Sequence, residues 1–323
     1  MQTDPALPSR RGLQSVMFAL LFIIGLHPVS MAQESNRDKP SSAPASKWSP
    51  FARGGYVYQF QSDIDDDGGN FRVNRLVADA GIAYALDYRR RLSFALGYGL
   101  SDYDFSGAEG FAGLRPWRHV DTFGLSASAI WGIDQQWTVF IIPSLKFSAE
   151  RGAALDQALS GGGFVGFSYR FSKRLTIGPG IGVITQLEDD PSIFPVLIIN
   201  WQITDRLTLE TGRGLGATLG PGLSLSWKAN DQLSLSVGGR FERLRFRLDD
   251  DGARRSIDGI GDDRSFPLFA GATYHFSPQV RASLVGGVKL GGEVRLEDKD
   301  GDLITKGDYK HAGFLGLTLN ARF

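Results

Sequence analysis

The sequence predicts an all-β chain, a transmembrane antiparallel up-and-down β-barrel of about 14 strands, with 12 or 16 as the neighbouring possibilities. Three observations predict it. From Phe51 to Phe323, apolar residues recur at every second position, the period that places them on one face of a strand. The connectors fall into a short kind and a long kind, and aromatic residues gather beside the short kind.

The N-terminus reads as an address. Arg10 and Arg11 precede an apolar run from Val16 to Leu26, and Ser30-Met31-Ala32 supplies small residues ahead of a cut before Gln33. The run is shorter than the roughly 20 apolar residues that a helix needs to cross a bilayer. Residues 1–32 are therefore expected to be a signal peptide, 33–47 a flexible Ser/Pro-rich linker, and 48–323 the barrel.

Strands are expected to start near Phe51, Arg72, Leu92, Val120, Trp137, Gly163, Leu175, Ile193, Leu207, Pro221, Leu233, Phe266, Val280 and Tyr309. Each is about 9 to 16 residues long. Leu92, Phe94, Leu96, Tyr98 and Leu100 alternate with Ser93, Ala95, Gly97, Gly99 and Ser101, and residues 280–291 repeat the pattern. The apolar sets would face outward and the Gly, Ser, Thr, Arg and Glu sets inward, an inversion that makes sense only if the outside is lipid. A soluble sandwich or propeller would carry shorter strands with polar outer faces.

Short turns are expected at 88–92, 133–137, 171–175, 203–207, 229–233 and 276–280. Longer polar connectors run over 63–71, 102–118, 149–157, 188–192, 249–264 and 297–308, with Gly220-Pro221 as one tight exception. Tyr84, Tyr88, Trp131, Trp137, Tyr169, Phe171, Trp201, Trp227, Tyr274, Phe276 and Phe323 lie close to the short turns and read as the girdle of that rim, where amphipathic rings meet the membrane interface. Between Leu233 and Leu248 the alternation slips at Glu242-Arg243. The reading there is a β-bulge that keeps both Phe241 and Leu244 facing lipid.

Read through, the alternation makes the lumen uneven. Ile130, Phe140, Ile142, Phe164, Ile184, Phe194, Val196 and Ile198 give an apolar wall. The later strands give Arg240, Arg245, Arg247, Arg281, Lys289, Glu293, Arg295 and Lys310 as candidate pore-lining residues, with Lys228, Glu242 and Arg322 beside them. A basic wall across from an apolar one would suit a passive pore for small anionic or amphipathic solutes. The same residues would equally serve a closed structural or surface-interaction barrel held by internal ion pairs, such as Arg295 with Glu293.

Other chemistry is weakly signalled. The chain holds 35 basic and 35 acidic residues, so it lacks the cationic surplus that phosphate backbones require, and no nucleic-acid partner is expected. It has no cysteine, which excludes disulfides and thiolate metal sites. Asp63, Asp65 and Asp67 fit the opening of a calcium loop, yet Asn74 stands where a bidentate Glu belongs; acidic Gly turns at 249–252 and 298–302 are of the same kind. No cofactor motif is present, and no enzymatic function is expected.

Leu315, Leu317, Leu319, Ala321 and Phe323 share one face of the last strand, and Phe323 ends it. This resembles the C-terminal signature of bacterial outer-membrane proteins. The resemblance implies that Leu317, Leu319 and Phe323 are read by the barrel-assembly machinery, and that the barrel sits in outer-membrane lipid and lipopolysaccharide after export through the periplasm. The segment from Trp48 onward, and 122–209 most of all with Phe194-Pro195-Val196 and Asn200-Trp201-Gln202, is similar to porin-like barrels of Gram-negative genomes, a group with no substrate to carry over. Long-chain fatty acid transporters also have about 14 strands, but their N-terminal hatch is longer than residues 33–47. His275-Phe276-Ser277 resembles the His-x-Ser pair of lipid A deacylases, placed here on the wrong rim for that chemistry.

Overall fold

The computed structural model describes residues 47–211, 222–249 and 258–323. The expected signal peptide, the linker up to residue 46, the Gly220-Pro221 turn and Asp250-Asp251-Gly252 lie outside the described residues.

Strands β1 (Trp48–Asp63), β2 (Asn70–Ala85), β3 (Arg90–Ser106), β4 (His119–Gly132), β5 (Trp137–Glu150), β6 (Leu159–Ser172), β7 (Leu175–Gln186), β8 (Asp189–Gln202), β9 (Leu207–Thr211), β10 (Gly222–Lys228) and β11 (Leu233–Arg240) are successive antiparallel neighbours. They are followed by β12 (Glu242–Arg247), β13 (Ile260–His275), β14 (Val280–Glu297), β15 (Leu303–Tyr309) and β16 (Ala312–Arg322). β16 pairs with β1 from Arg322 opposite Phe51 to Phe314 opposite Gln59, which joins the first strand to the last and closes the sheet. β11 with β12, and β15 with β16, each make one bent strand, so the barrel has 14 strands. A one-turn helix, α1 (Gly110–Gly113), lies in the β3–β4 loop. No helix among the described residues is long and apolar enough to cross a membrane.

The six short turns share one local device. Asp87, Asp134, Ser172, Thr204, Asn230 and Ser277 each place a side-chain oxygen where it accepts from backbone N–H groups two or three residues on. Such side-chain turns satisfy donors that the ladder has released, and they fix where each hairpin reverses. Backbone N–H groups, that of Arg89 foremost, hold the Asp87 carboxyl below the usual carboxylate range, and those of Trp137 and Gln136 do so for Asp134. That contribution is present above the unfolded carboxylate value and is lost as pH falls through the lowered one.

The outward face carries Leu76, Leu96, Ile141, Val165, Ile181, Leu197, Val237, Leu284, Leu315, Leu317 and Leu319 as exposed side chains. Near the short turns the rings touch: Trp137 with Tyr169 at 4.8 Å, Tyr169 with Phe171 at 4.8 Å and Tyr274 with Phe276 at 5.0 Å between centroids. Phe323 stands 72% exposed at this rim, and its N–H donates to the Pro50 carbonyl across the closure.

At the opposite rim the chain departs from a plain cylinder. β12 leaves the wall and crosses the mouth until Arg247 pairs with Ala149 of β5, a parallel bridge between strands far apart around the barrel. At the same end Tyr309 of β15 pairs with Ile64, just beyond β1. The 14-stranded wall therefore narrows, on one side of its outer end, into a smaller closed ring of β1–β5 and β12–β15.

Four expectations need correction here. No slip occurs at Glu242-Arg243: Gly239 faces Leu268 and Glu242 faces Ser265, so both strands advance by three. The ladder merely lapses beside Pro267, which has no N–H to give. Leu244 is accordingly buried inside the mouth and does not face lipid. The register shift lies instead between β13 and β14, where Gly291-Gly292 oppose Ser265; Gly291 takes φ of 55°, and a Cβ on Gly292 would fall 2.0 Å from the Tyr309 ring. Parts of the expected connectors 102–118, 249–264 and 297–308 are strand, because β3, β13 and β15 extend into them as the walls of the narrowed mouth, and the expected connector 188–192 is a tight turn at Leu187-Glu188.

Leu317, midway along β16 and 58% exposed, tests which solvent the outer face meets. Leu317→Arg is expected to lower the unfolding free energy in bilayers by about 2–4 kcal/mol, read by urea titration of the compact band on unheated gels; unchanged stability would contradict a lipid-facing wall.

Candidate functional site

The inward bend creates a second core inside the barrel. Leu244 and Phe246 of β12, and Leu248 just after it, pack with Phe71 and Val73 of β2, Tyr103 and Phe105 of β3, Trp117 and Val120 before and in β4, and Val294 and Leu296 of β14. Phe246 packs edge-on against Trp117 at 5.2 Å, and Phe71 against Tyr309 at 4.9 Å. Side chains that alternation aims into a lumen are thus used to fill its outer end on the β1–β4 side.

Directly beneath this core lies a knot of charges drawn from five strands. The Glu242 carboxylate is met by Arg240 at 3.0 Å, Lys289 at 3.1 Å and Arg75 at 3.3 Å. Arg75 continues to Asp263 at 2.6 Å, and that carboxylate also accepts the hydroxyls of Tyr103 and Tyr309 at 2.8 and 3.1 Å. Three cations (Arg75, Arg240, Lys289) face two carboxylates (Glu242, Asp263), so the knot keeps one net positive charge in a buried place. Several of its donors are unused: Nε and Nη1 of Arg240, Nε of Arg75 and Nε2 of nearby Gln59 are buried without a partner, as is the acceptor Oε1 of Gln59. A buried guanidinium N–H left unpaired is costly, and a site that tolerates several holds them ready for an acceptor.

On the other face of β12, Arg243, Arg245 and Arg247 reach toward β5–β8. Arg243 pairs with Asp262 and with the Gln186 side chain; Arg245 takes Glu297 at 2.6 Å and the Leu187 carbonyl at 2.8 Å; Arg247 takes Glu188 at 2.5 Å and donates to the Gln157 carbonyl. Together they latch the crossing strand to the β7–β8 turn. Between latch and wall remains a cavity of about 40 Å³ lined by Ser144, Lys146, Ser160, Thr185, Arg243 and Arg245, large enough for water and little else.

Toward the short-turn rim the lumen alternates greasy and polar. Val57, Phe269, Val285 and Phe314, with Val77, form one inner apolar patch; Phe164, Ile184 and Phe194, with Phe140, Ile142 and Val196, form another across from it. The first patch lies beside the knot by register, since Val57 and Gln59, Val77 and Arg75, and Val285 and Lys289 share the inward faces of their strands. Hydroxyl pairs such as Ser93 with Ser128 and Thr273 with Ser283 line the wall near the short-turn rim.

The sequence-derived lumen residues divide accordingly. Arg240, Arg245, Arg247, Lys289 and Glu293 are buried within the mouth. Glu293 is met by Arg264 at 2.7 Å, Arg295 at 3.0 Å and Lys306 at 3.2 Å. Arg281 lies far below, opposite His275 beside the last short turn. Lys310 stands outside the mouth, 3.8 Å from Asp65. Arg75, Asp262, Asp263, Tyr103 and Tyr309 were not among the candidates. Arg75 was readable as an inward residue between Val73 and Val77, whereas Asp262-Asp263 looked like loop.

The remaining candidates are structural in their placement. Asp63 ends β1, and Asp65 and Asp67 lie in the turn after it, where the Asp65 carbonyl accepts from Gly68. No three potential metal ligands converge among the described residues. Ser277 is engaged as a turn acceptor for the N–H groups of Gln279 and Val280.

A family model described as "Domain of unknown function (DUF6268)" matches residues 126–312, more than half of the chain. No curated protein matches the sequence. Among solved structures, an outer membrane channel from Pseudomonas putida F1 is 12% identical, with a TM-score of 0.49 over 88% of this chain and 99% of that one. A FadL homologue from Pseudomonas aeruginosa is 13% identical, with a TM-score of 0.47 over 85% and 90%. The toluene transporter TbuX of Ralstonia pickettii is 10% identical, with a TM-score of 0.41 over 86% and 90%. At these values the likeness carries no argument, and the fold rests on the strand register.

Glu242→Gln removes the carboxylate that three buried cations share. It is expected to cost about 3–5 kcal/mol of unfolding free energy, the range for breaking a buried pair from one side; a loss below 1 kcal/mol, the range for exposed pairs, would show that the knot does not hold the mouth together.

Proposed function

The chain belongs to the DUF6268 family, and we propose that it is a gated transport barrel of the outer membrane for anions that carry an apolar body. One observation carries the reading: a buried knot with a surplus positive charge and unused guanidinium donors lies inside a closed barrel, next to an apolar inner patch. An anionic headgroup would take the free Arg240 donors, and its apolar part would lie on Val57, Phe269, Val285 and Phe314. Solute would pass on the β5–β8 side on release of the latch of Arg243, Arg245 and Arg247, since the cavity of about 40 Å³ beside the latch is too small for it. The expected signal peptide and the exposed terminal Phe323 support export and insertion by the barrel-assembly machinery, with outer-membrane lipid and lipopolysaccharide as surroundings.

A second reading has its own support. The aromatic core and the ion pairs of the mouth are what a closed structural barrel would need.

Planar-bilayer recordings separate the two. The native chain is expected to show rare openings, and Arg243→Ala/Arg247→Ala frequent ones with anion preference, which Arg240→Gln in that background reduces. Silence from both the native and the latch-free barrel would make it a closed scaffold, and cation preference in the open state would contradict the anion reading.

A further inference from the structure

The lumen carries a second concentration of positive charge, at its short-turn end. The last inward residue is Arg91 on β3, Arg170 on β6, Lys228 on β10, Arg281 on β14 and Arg322 on β16. Their phase follows from their neighbours. Arg91 is two residues before Ser93, which meets Ser128 inside the wall; Tyr169 and Trp227, beside Arg170 and Lys228, belong to the outer girdle; Arg281 and Arg322 are in step with Val285 and Phe314 of the inner apolar patch. All five are exposed or half-buried, so they line an accessible mouth.

Little opposes this charge. The matching inward positions on other strands hold Thr138, Thr176, Gln202, Thr208 and Ser234, so no carboxylate stands in that layer among the described residues. Of the carboxylates next above it, Asp79 is taken by Arg53 at 2.7 Å, and Glu210 is buried and engaged. Lys228 has the Asp231 carboxylate of its own turn at 2.8 Å. Arg91, Arg170 and Arg322 make no ion pair among the described residues, and Arg322 lies within electrostatic reach of Arg91. The turns, over 86–90, 133–136, 172–174, 203–206, 229–232 and 276–279, add five basic side chains and four acidic ones, which does not neutralise the mouth.

The chain as a whole is balanced at 35 basic and 35 acidic residues, so the imbalance is one of placement. Exposed acidic runs at 65–67 and 188–190 stand at the opposite rim. Like charges held together cost stability, and a mouth lined by one sign between low-dielectric walls raises the local concentration of counter-ions. From this mouth the hydroxyls of Ser93, Ser128, Thr273 and Ser283 lead inward toward the apolar patch and the knot.

We propose that the short-turn mouth is an anion-collecting vestibule, in which Arg91, Arg170 and Arg322 hold small sulfonated or carboxylated anions loosely and set the charge selectivity of entry ahead of the knot. The vestibule deepens the transport reading and rests on it for its purpose. Binding itself does not require the latch to open.

The test uses the folded barrel in detergent, with compact mobility on unheated gels as the check of folding and fluorescence anisotropy of the trisulfonated dye pyranine as the readout. The native barrel is expected to bind pyranine at low ionic strength and to release it as salt rises. Arg91→Glu/Arg322→Glu is expected to weaken binding at least about tenfold, and so is Arg91→Glu/Arg170→Glu, which leaves the last strand untouched. Arg115→Glu/Arg118→Glu makes the same change of charge at exposed positions of the long-loop rim, and is expected to alter binding by less than about twofold, because charges separated by more than a Debye length are screened. In planar bilayers, adding Arg91→Glu/Arg322→Glu to the latch-free Arg243→Ala/Arg247→Ala barrel is expected to remove its anion preference. No pyranine binding at low ionic strength, binding that survives both reversals, or an equal loss in the long-loop control overturns the vestibule. An anion preference unmoved by the reversals in a conducting barrel overturns its selective role. Binding lost with the reversals while the latch-free barrel stays silent upholds the vestibule and refutes transport.

Discussion

Glu242 draws Arg75, Arg240 and Lys289 onto one buried carboxylate, and the outer half of the barrel depends on that convergence. The three cations come from β11 and β14, which flank β13, and from β2 three strands beyond β14, and all three meet inside the barrel. Placing Glu242 there obliges the next residues to follow it inward. Leu244, Phe246 and Leu248 then find the aromatic faces of β2–β4, and Arg243, Arg245 and Arg247 find the β7–β8 turn. Lapse of the ladder beside Pro267 supplies the slack, and the bulge at Gly291-Gly292 lets β14 turn with its neighbour.

The closed barrel was legible because its cause is local and repeated. Period-two alternation over long strands, side-chain acceptors at six reversals and rings beside them each restate the same architecture, so the strand count and the outward phase of β16 read correctly. The bend was not legible, and the reason is physical. Residues 242–248 alternate apolar and basic, a pattern that suits a wall strand between lipid and water and suits equally a strand between an internal core and an internal charge network. Faced with arginines in the outward phase, a reading confined to the wall must insert a slip at Glu242-Arg243. The chain keeps its phase and changes direction. The acidic run Gly261-Asp262-Asp263 misled for the same reason: it looks like loop until its partners are seen, Arg243 on the adjoining β12 and Arg75 on β2.

The interior is consequently divided in depth. Near the short turns it is hydroxyl-lined; in the middle it presents apolar patches under a cationic knot; at the outer end it is filled. The latch joins β12 to the wall largely through charge-assisted hydrogen bonds, and these exchange with water at smaller loss than an apolar core does. The mouth thus has an ion-paired side and an aromatic side. Of the candidate lumen residues, Arg240, Arg245, Arg247, Lys289 and Glu293 are buried. These side chains are engaged in ion pairs and do not form an open basic wall.

The crossing of β12 can be trapped covalently, since the chain has no cysteine of its own. Ala149 and Arg247 are paired across β5 and β12, within the Cα separation that a disulfide spans. Ala149→Cys/Arg247→Cys is expected to cross-link on mild oxidation as readily as a control pair across the barrel closure, Ala52→Cys/Ala321→Cys. If the closure pair oxidises and the 149/247 pair stays reduced, β12 does not cross the mouth.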